Sequence, residues 1–160
     1  MRDPRGTVQS RKHRDFCPKS PDCHSARLLC SDLVENFHAA KELSQLFPGQ
    51  VLALRYEDFS AGPATNAPEL YHFLGIKMHI EVEHFIQSHT QTQTAQTDMF
   101  STVRNSATVP YHWRKDLTFP EIQAVQSECS DAMQLWGYQE YQNQADVDMV
   151  WPVNKFTFGD

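Results

Sequence analysis

The residues best suited to chemistry crowd the start of the chain. Between positions 1 and 27, Arg2, Arg5, Arg11, Lys12, Arg14, Lys19 and Arg27 stand against only Asp3, Asp15 and Asp22, a balance of +4. The whole chain has a formal net charge of −6, so the other 133 residues sum to −10. A guanidinium presents a planar fork of charged donors that matches the oxygens of a phosphate or carboxylate. A local anion site is the chemistry this segment suits, and a solvated charge cluster is the plainer reading. A general nucleic-acid binder needs a broad basic face, which an acidic protein with one basic end does not present.

Two other groupings hold reactive types. Glu57 and Asp58 are adjacent carboxylates of the kind that acid–base work uses. Neighbouring residues of a strand point to opposite faces, so structural pairing with a nearby Arg is the expected use. Cys17, Cys23, His24 and Cys30 hold zinc-ligand types, but the usual paired two-to-four-residue spacing is missing. No metal is predicted. The four cysteines, Cys129 included, allow three disulfide pairings.

These residues need elements to position them. Arg2-Asp3-Pro4-Arg5-Gly6 reads as a turn, followed by a short helix over Thr7–Arg14. A long helix follows, with Ser20 as cap, Pro21 in its first position and a stop at Pro48-Gly49. Ala26, Cys30, Leu33, Phe37, Ala40 and Leu43 form its apolar stripe. Gln50–Tyr56 reads as a buried strand ending in the polar Arg55-Tyr56-Glu57-Asp58, and the carboxyl ends of strands are where α/β folds gather ligands. Asn66 with Glu69 resembles a capping box for a helix ending near Gly75, and Ile80–Ser88 suits a further short helix. Thr90–Thr97 is polar and low in complexity, hence a loop. A last helix starts at Thr118, aims Ile122, Val125, Cys129, Ala132, Met133 and Trp136 one way, and ends at Gly137. Length and a 40% apolar content suit one soluble domain. No apolar run is long enough for a transmembrane helix, and the opening lacks the apolar core of a signal peptide.

Arg2-Asp3-Pro4-Arg5-Gly6-Thr7-Val8-Gln9-Ser10-Arg11 resembles the 3′-phosphate-binding segment of sulfotransferases that use 3′-phosphoadenosine 5′-phosphosulfate (PAPS). Leu54-Arg55-Tyr56-Glu57-Asp58-Phe59 with Pro63 and Leu70–Ile76 is similar to a block of the Golgi carbohydrate sulfotransferases. Ser101–Ser106 with His112–Leu117 is similar to their C-terminal cofactor segment, and Cys129–Tyr138 to their closing helix. The ordered set covers about residues 1–138 and is most similar to the enzymes that sulfate the 6-hydroxyl of Gal, GalNAc or GlcNAc.

The resemblance implies an α/β chain: part of a P-loop-like sulfotransferase fold, mostly helical here, with one or two parallel strands. It assigns 1–138 to the C-terminal part of the sulfotransferase domain and leaves 139–160 as a polar and aromatic tail. It implies that Arg2 and Ser10 bind the 3′-phosphate, with Ser10 at a helix start, where free N–H groups would help. Arg104 is implied for the same phosphate, Tyr56 and Thr90 for the neighbourhood of the adenine, and Trp113 as a packing anchor. The implied co-substrate is PAPS, leaving PAP (adenosine 3′,5′-bisphosphate), the acceptor a glycan on a glycoprotein or proteoglycan, and the place the Golgi lumen, reached in full-length relatives by a membrane anchor. An oxidising lumen favours the pairs Cys30–Cys129 and Cys17–Cys23. The family's Gly/Ser-rich 5′-phosphosulfate loop and general base lie upstream of the matching segment, so no catalytic residue is expected in this chain, and it is expected to be inactive alone. The alternative is a non-catalytic module that binds PAP or a protein partner.

Overall fold

The computed structural model describes residues 1–12, 17, 21–91 and 101–149. They divide into two compact units, Met1–Arg55 with the residues from Tyr111 onward, and Tyr56–Pro110. Each unit has its own logic.

The first unit is built on a helix pair. Helix α1 spans Pro4–Lys12. Asp3 caps it: its carboxylate accepts from the Arg5 backbone N–H at 2.9 Å, and its carbonyl accepts from the Thr7 N–H at 2.9 Å. Pro4 then occupies the first helical position, where its missing N–H costs nothing. A 3-10 turn at Pro21–His24 precedes α2, Ala26–Leu46, which is capped by Ser25. The short helix α6, Trp113–Asp116, leads to helix α7, Phe119–Leu135, which packs along α2. Leu29 and Cys30 from α2 meet Val125, Cys129, Ala132 and Met133 from α7, and Val8 of α1 completes the cluster. The Trp136 indole N–H donates to the Leu33 carbonyl at 2.9 Å, and its ring meets Phe37 edge-on.

Cys30–Cys129 staples α2 to α7, and Cys17–Cys23 closes a local loop. Both pairings agree with the oxidising-lumen expectation. With all four sulfurs bonded to each other, the cysteine zinc reading has no thiolate ligands left. Among the described residues no helix is long and apolar enough to cross a membrane.

Helix α7 follows the sequence closely. Glu121 accepts from the Thr118 backbone N–H and hydroxyl, both at 2.8 Å. At the other end Gly137 has φ 70°, and Tyr138 N–H reaches back to the Met133 carbonyl at 2.8 Å. That left-handed position favours glycine and satisfies the last carbonyls. Beyond it, Tyr141 and Val147, the latter on the short helix Gln144–Asp148, are buried against Trp113, Leu117 and Ile122. Residues 139–149 are thus packed structure, which their lack of periodicity hid.

The second unit holds α3, Tyr56–Ala61, α4, Pro63–Phe73, and α5, Ile80–Thr90. Asn66 lies inside α4, where its amide donates to the Asp58 and Phe59 carbonyls at 2.7 and 3.2 Å. It ties α3 to α4 instead of starting a helix, because Pro63 already suits the first turn after Gly62. His79 caps α5 through its ring nitrogen. Phe73, Leu74, Ile76, Ile80 and Phe85 stay exposed.

Several expectations change. The first helix begins at Pro4, three residues early, because Asp3 and Pro4 make a cap where the sequence reading saw a turn. Ser25, not Ser20, caps the long helix, since the chain first makes a 3-10 turn. Only the first half of the α2 stripe is covered, and Leu43 is 45% exposed. Gln50–Tyr56 forms no strand, and no strand is found among the described residues. Leu54 accepts one hydrogen bond from the Met1 nitrogen at 2.8 Å, and a ladder needs a run of such partners. Tyr56 therefore opens a helix instead of closing a strand. The part of Thr90–Thr97 beyond Gln91 lies outside the described residues.

Candidate anion-binding site

Arg5 and Arg2 share a turn of chain but differ in what they do. The Arg5 guanidinium is 2% exposed. It forks onto Asp3, with Nε to Oδ1 at 3.0 Å and Nη2 to Oδ2 at 2.8 Å. Its Nη1 donates to Gln126 Oε1 and to the Gln139 carbonyl, both at 2.9 Å. Its central carbon lies 4.5 Å from the Trp113 and 4.7 Å from the Tyr141 ring centroid, and the two rings touch each other with centroids 6.1 Å apart. Burial alone would lower its pKa, but the charge and hydrogen bonds of Asp3 outweigh this and raise it. Arg5 is thus committed to joining α1, α7 and the following segment, and is no anion ligand.

Arg55 is similarly spent. It is fully buried, donates to the Trp136 and Gly137 carbonyls at 3.1 and 3.2 Å, and lies 5.5 Å from the Tyr138 ring centroid. A cation there meets the negative end of the α7 dipole. Arg114 donates to the Tyr141 hydroxyl oxygen at 2.6 Å and the Met149 carbonyl at 3.2 Å. Burial pushes the Tyr141 hydroxyl pKa up, against the pull of Arg114 and Arg5, so the phenol stays neutral.

Arg2 is half-buried and lies on Gly6. A β-carbon built on Gly6 would stand 3.3 Å from Arg2 Nε, 3.5 Å from Arg2 Nη2 and 3.0 Å from Trp113 Cδ1. The Arg2 guanidinium and the Trp113 indole edge therefore pack directly on the bare backbone of Gly6, where a β-carbon would not fit. Ser10 is four residues further on in the same helix, so it shares the Gly6 face, about 6 Å along the axis. Arg2, which precedes α1, thus lies against Gly6, and Ser10 shares the Gly6 face of the helix. It also corrects one implication: Ser10 lies in the last turn of α1, away from the helix start, and free N–H groups of α1 do not surround it.

The remaining expected residues belong to the second unit. Arg104 N–H donates to the His89 carbonyl at 2.8 Å and Ser106 N–H to the Thr90 carbonyl at 3.0 Å. Gln91 and Asn105 pair between them as an antiparallel bridge. Thr90 and Arg104 are brought together by this short ladder. The Thr90 hydroxyl donates to the Ile86 carbonyl at 2.7 Å, and Arg104 Nε to the Ser101 carbonyl at 3.1 Å. Tyr56 opens α3 and is 37% exposed. Gly6 and the Trp113 edge are the features that sequence reasoning missed. Gly6 lies in the first turn of α1, where glycine costs stability relative to alanine, but the sequence reading had placed it in a turn before the helix.

The sulfotransferase-domain family matches residues 1–137. This chain belongs to the sulfotransferase family. Its relatives include carbohydrate sulfotransferase 3 of Homo sapiens, 39% identical over 90 residues that cover 56% of this chain and 19% of the relative. Carbohydrate sulfotransferase 1 of Mus musculus is 28% identical over 162 residues, covering 92% of this chain and 39% of the relative. Carbohydrate sulfotransferase 4 of Mus musculus is 24% identical over 164 residues, covering 91% and 42%. The chain spans less than half the length of these curated relatives. No solved structure matches it.

Proposed function

We propose that this sulfotransferase chain carries the 3′-phosphate-binding side of an enzyme that moves a sulfuryl group from PAPS to the 6-hydroxyl of a Gal, GalNAc or GlcNAc residue on a glycan. The observation that carries the reading is the placing of Arg2 and Ser10 at the Gly6 face of α1. A phosphate fits it chemically. Arg2 supplies charged donors and Ser10 a hydroxyl donor, and Gly6 lets the Arg2 side chain lie against the helix backbone. The carbohydrate relatives support a sugar acceptor. Two disulfides support an oxidising compartment, for which the Golgi lumen is proposed. The same reading gives Arg104 to the phosphate and Tyr56 and Thr90 to the adenine. No metal takes part in it.

Sulfuryl transfer requires in-line alignment and charge stabilisation at the 5′-phosphosulfate, as phosphoryl transfer does at its own centre. None of these 160 residues resembles the family's 5′-phosphosulfate loop or its general base. A polypeptide of these residues by itself is therefore expected to bind PAP and transfer nothing.

Calorimetry with PAP is the test. The chain binds PAP, and Arg2→Ala weakens binding roughly ten- to hundredfold, the range for losing a charge-assisted hydrogen bond. Equal affinities for the two proteins, or no binding by either, would overturn the phosphate reading. Sulfation of a glycan acceptor by the isolated chain would overturn its expected inactivity.

A further inference from the structure

The second unit leaves apolar side chains uncovered where α4 turns into α5. Phe73 and Leu74 end α4, Ile76 follows, Ile80 opens α5 and Phe85 lies further along it, and all five are between 37% and 57% exposed. No residue of α5 is buried. Loose chain does not account for this. The N–H groups of Leu74, Gly75 and Ile76 donate to the Leu70, His72 and Tyr71 carbonyls, each at 3.0 Å. Gly75 takes φ 66° at the helix stop, and the His79 ring caps the Glu81 N–H at 3.2 Å. The connection is hydrogen-bonded at both ends, so it presents Leu74, Ile76 and Ile80 to solvent in set positions. Single exposed apolar residues are ordinary, whereas five along one turn and the helix after it are not. At about half of a large side chain each, they present roughly 500 Å² of apolar surface, the size of patch that marks an interaction site on a monomer.

The charges along the same stretch decide what fits it. Lys77 follows Ile76 and Glu81 follows Ile80, and both are exposed. Glu81 reaches His84 Nδ1 only at 3.9 Å. A segment with a cation two residues before His79 and an anion two residues after it is complementary to itself when reversed. About a two-fold axis at His79, Lys77 of each copy meets Glu81 of the other, beside Ile76 and Ile80 of both. A partner of one charge sign would meet a like charge at one of the two positions.

We propose that the Phe73–Phe85 surface docks a second copy of this chain, forming a two-fold dimer. Two such faces bury about 1,000 Å² of apolar surface, and the rim of Lys77, His79, Glu81 and His84 brings the total towards the roughly 1,200–2,000 Å² of specific interfaces. An interface at the low end of that range, with polar residues at its rim, associates at micromolar concentrations. The inference is independent of the phosphate reading.

Sedimentation equilibrium of the whole chain tests this. The mass rises from monomer towards dimer between about 1 and 100 μM. Ile76→Glu combined with Ile80→Glu sets four carboxylates in the centre of the interface and leaves a monomer, with circular dichroism unchanged because both positions are exposed. A charge exchange needs no change to the apolar centre. Lys77→Glu makes both rim positions acidic and Glu81→Lys makes both basic, so each variant associates several-fold more weakly alone, while an equimolar mixture of the two recovers the parent's association. Recovery in the mixture cannot come from a pair within one chain. A parent that stays monomeric to about 100 μM sinks the proposal and leaves the surface to a different partner. So does a dimer that survives the two glutamates, or a mixture no more associated than its components.

Discussion

Replacing Arg5 with alanine should be among the most damaging single changes in the first unit. Asp3 is itself 5% exposed, so the substitution leaves a buried carboxylate without its cation. It also removes the donor to Gln126 and to the Gln139 carbonyl, and the cation beside the Trp113 and Tyr141 rings. Removing one partner of a buried ion pair costs about 3–5 kcal/mol. A cation against two aromatic rings contributes about 1–2 kcal/mol more, although some of that is already inside the first figure. About 4 kcal/mol is a large share of the roughly 5–15 kcal/mol that holds a domain together. Urea unfolding followed by tryptophan fluorescence reads this unit, because Trp113 and Trp136 both lie in it. The midpoint should fall steeply with the slope unchanged. Arg5→Met combined with Asp3→Asn should recover much of the loss, because no uncompensated charge remains. A loss below about 1 kcal/mol for Arg5→Ala, or a double variant no better than the single one, would refute the view that the pair fastens α1 to α7.

The two disulfides should differ in weight. Cys30–Cys129 closes a separation of 99 residues and Cys17–Cys23 one of 6, so loop-closure entropy predicts losses of about 4–5 and about 2 kcal/mol when each pair is changed to alanine. Equal losses in urea titrations would contradict this. Hydrogen bonds from Lys12 and then Thr118 lower the Glu121 carboxyl from 4.5 to about 2. A folded pKa below the unfolded one means stability present above about pH 4.5 and lost as pH falls towards 2. Thermal unfolding of Glu121→Gln should show a smaller decline over that window than the parent chain. The exposed setting of Glu121 makes the difference small and sensitive to salt.

The sequence by itself determined the elements whose signals are local. The Thr118–Glu121 cap, the apolar face from Ile122 to Trp136 and the Gly137 stop are all contained within one helix and its ends, and α7 forms as they dictate. The family was legible too, because ordered blocks of residues carry it without reference to contacts. What the sequence could not decide was the fate of each charged side chain. Arg2, Arg5 and Arg55 are the same residue type, yet two of them are buried in packing and one lies half-buried against the backbone of Gly6. That sorting depends on Gln126, Trp136, Tyr141 and Trp113, which are 81 to 136 positions away along the chain from the arginines they meet. Strand formation was undecidable for the same reason. Gln50–Tyr56 has the apolar composition of a strand, but a ladder is a property of two chain segments and forms only where a second one supplies its hydrogen bonds. The packing of 139–149 was equally non-local: Tyr141 is buried because Gln126 and Arg5 meet it, and no period in its own segment records that.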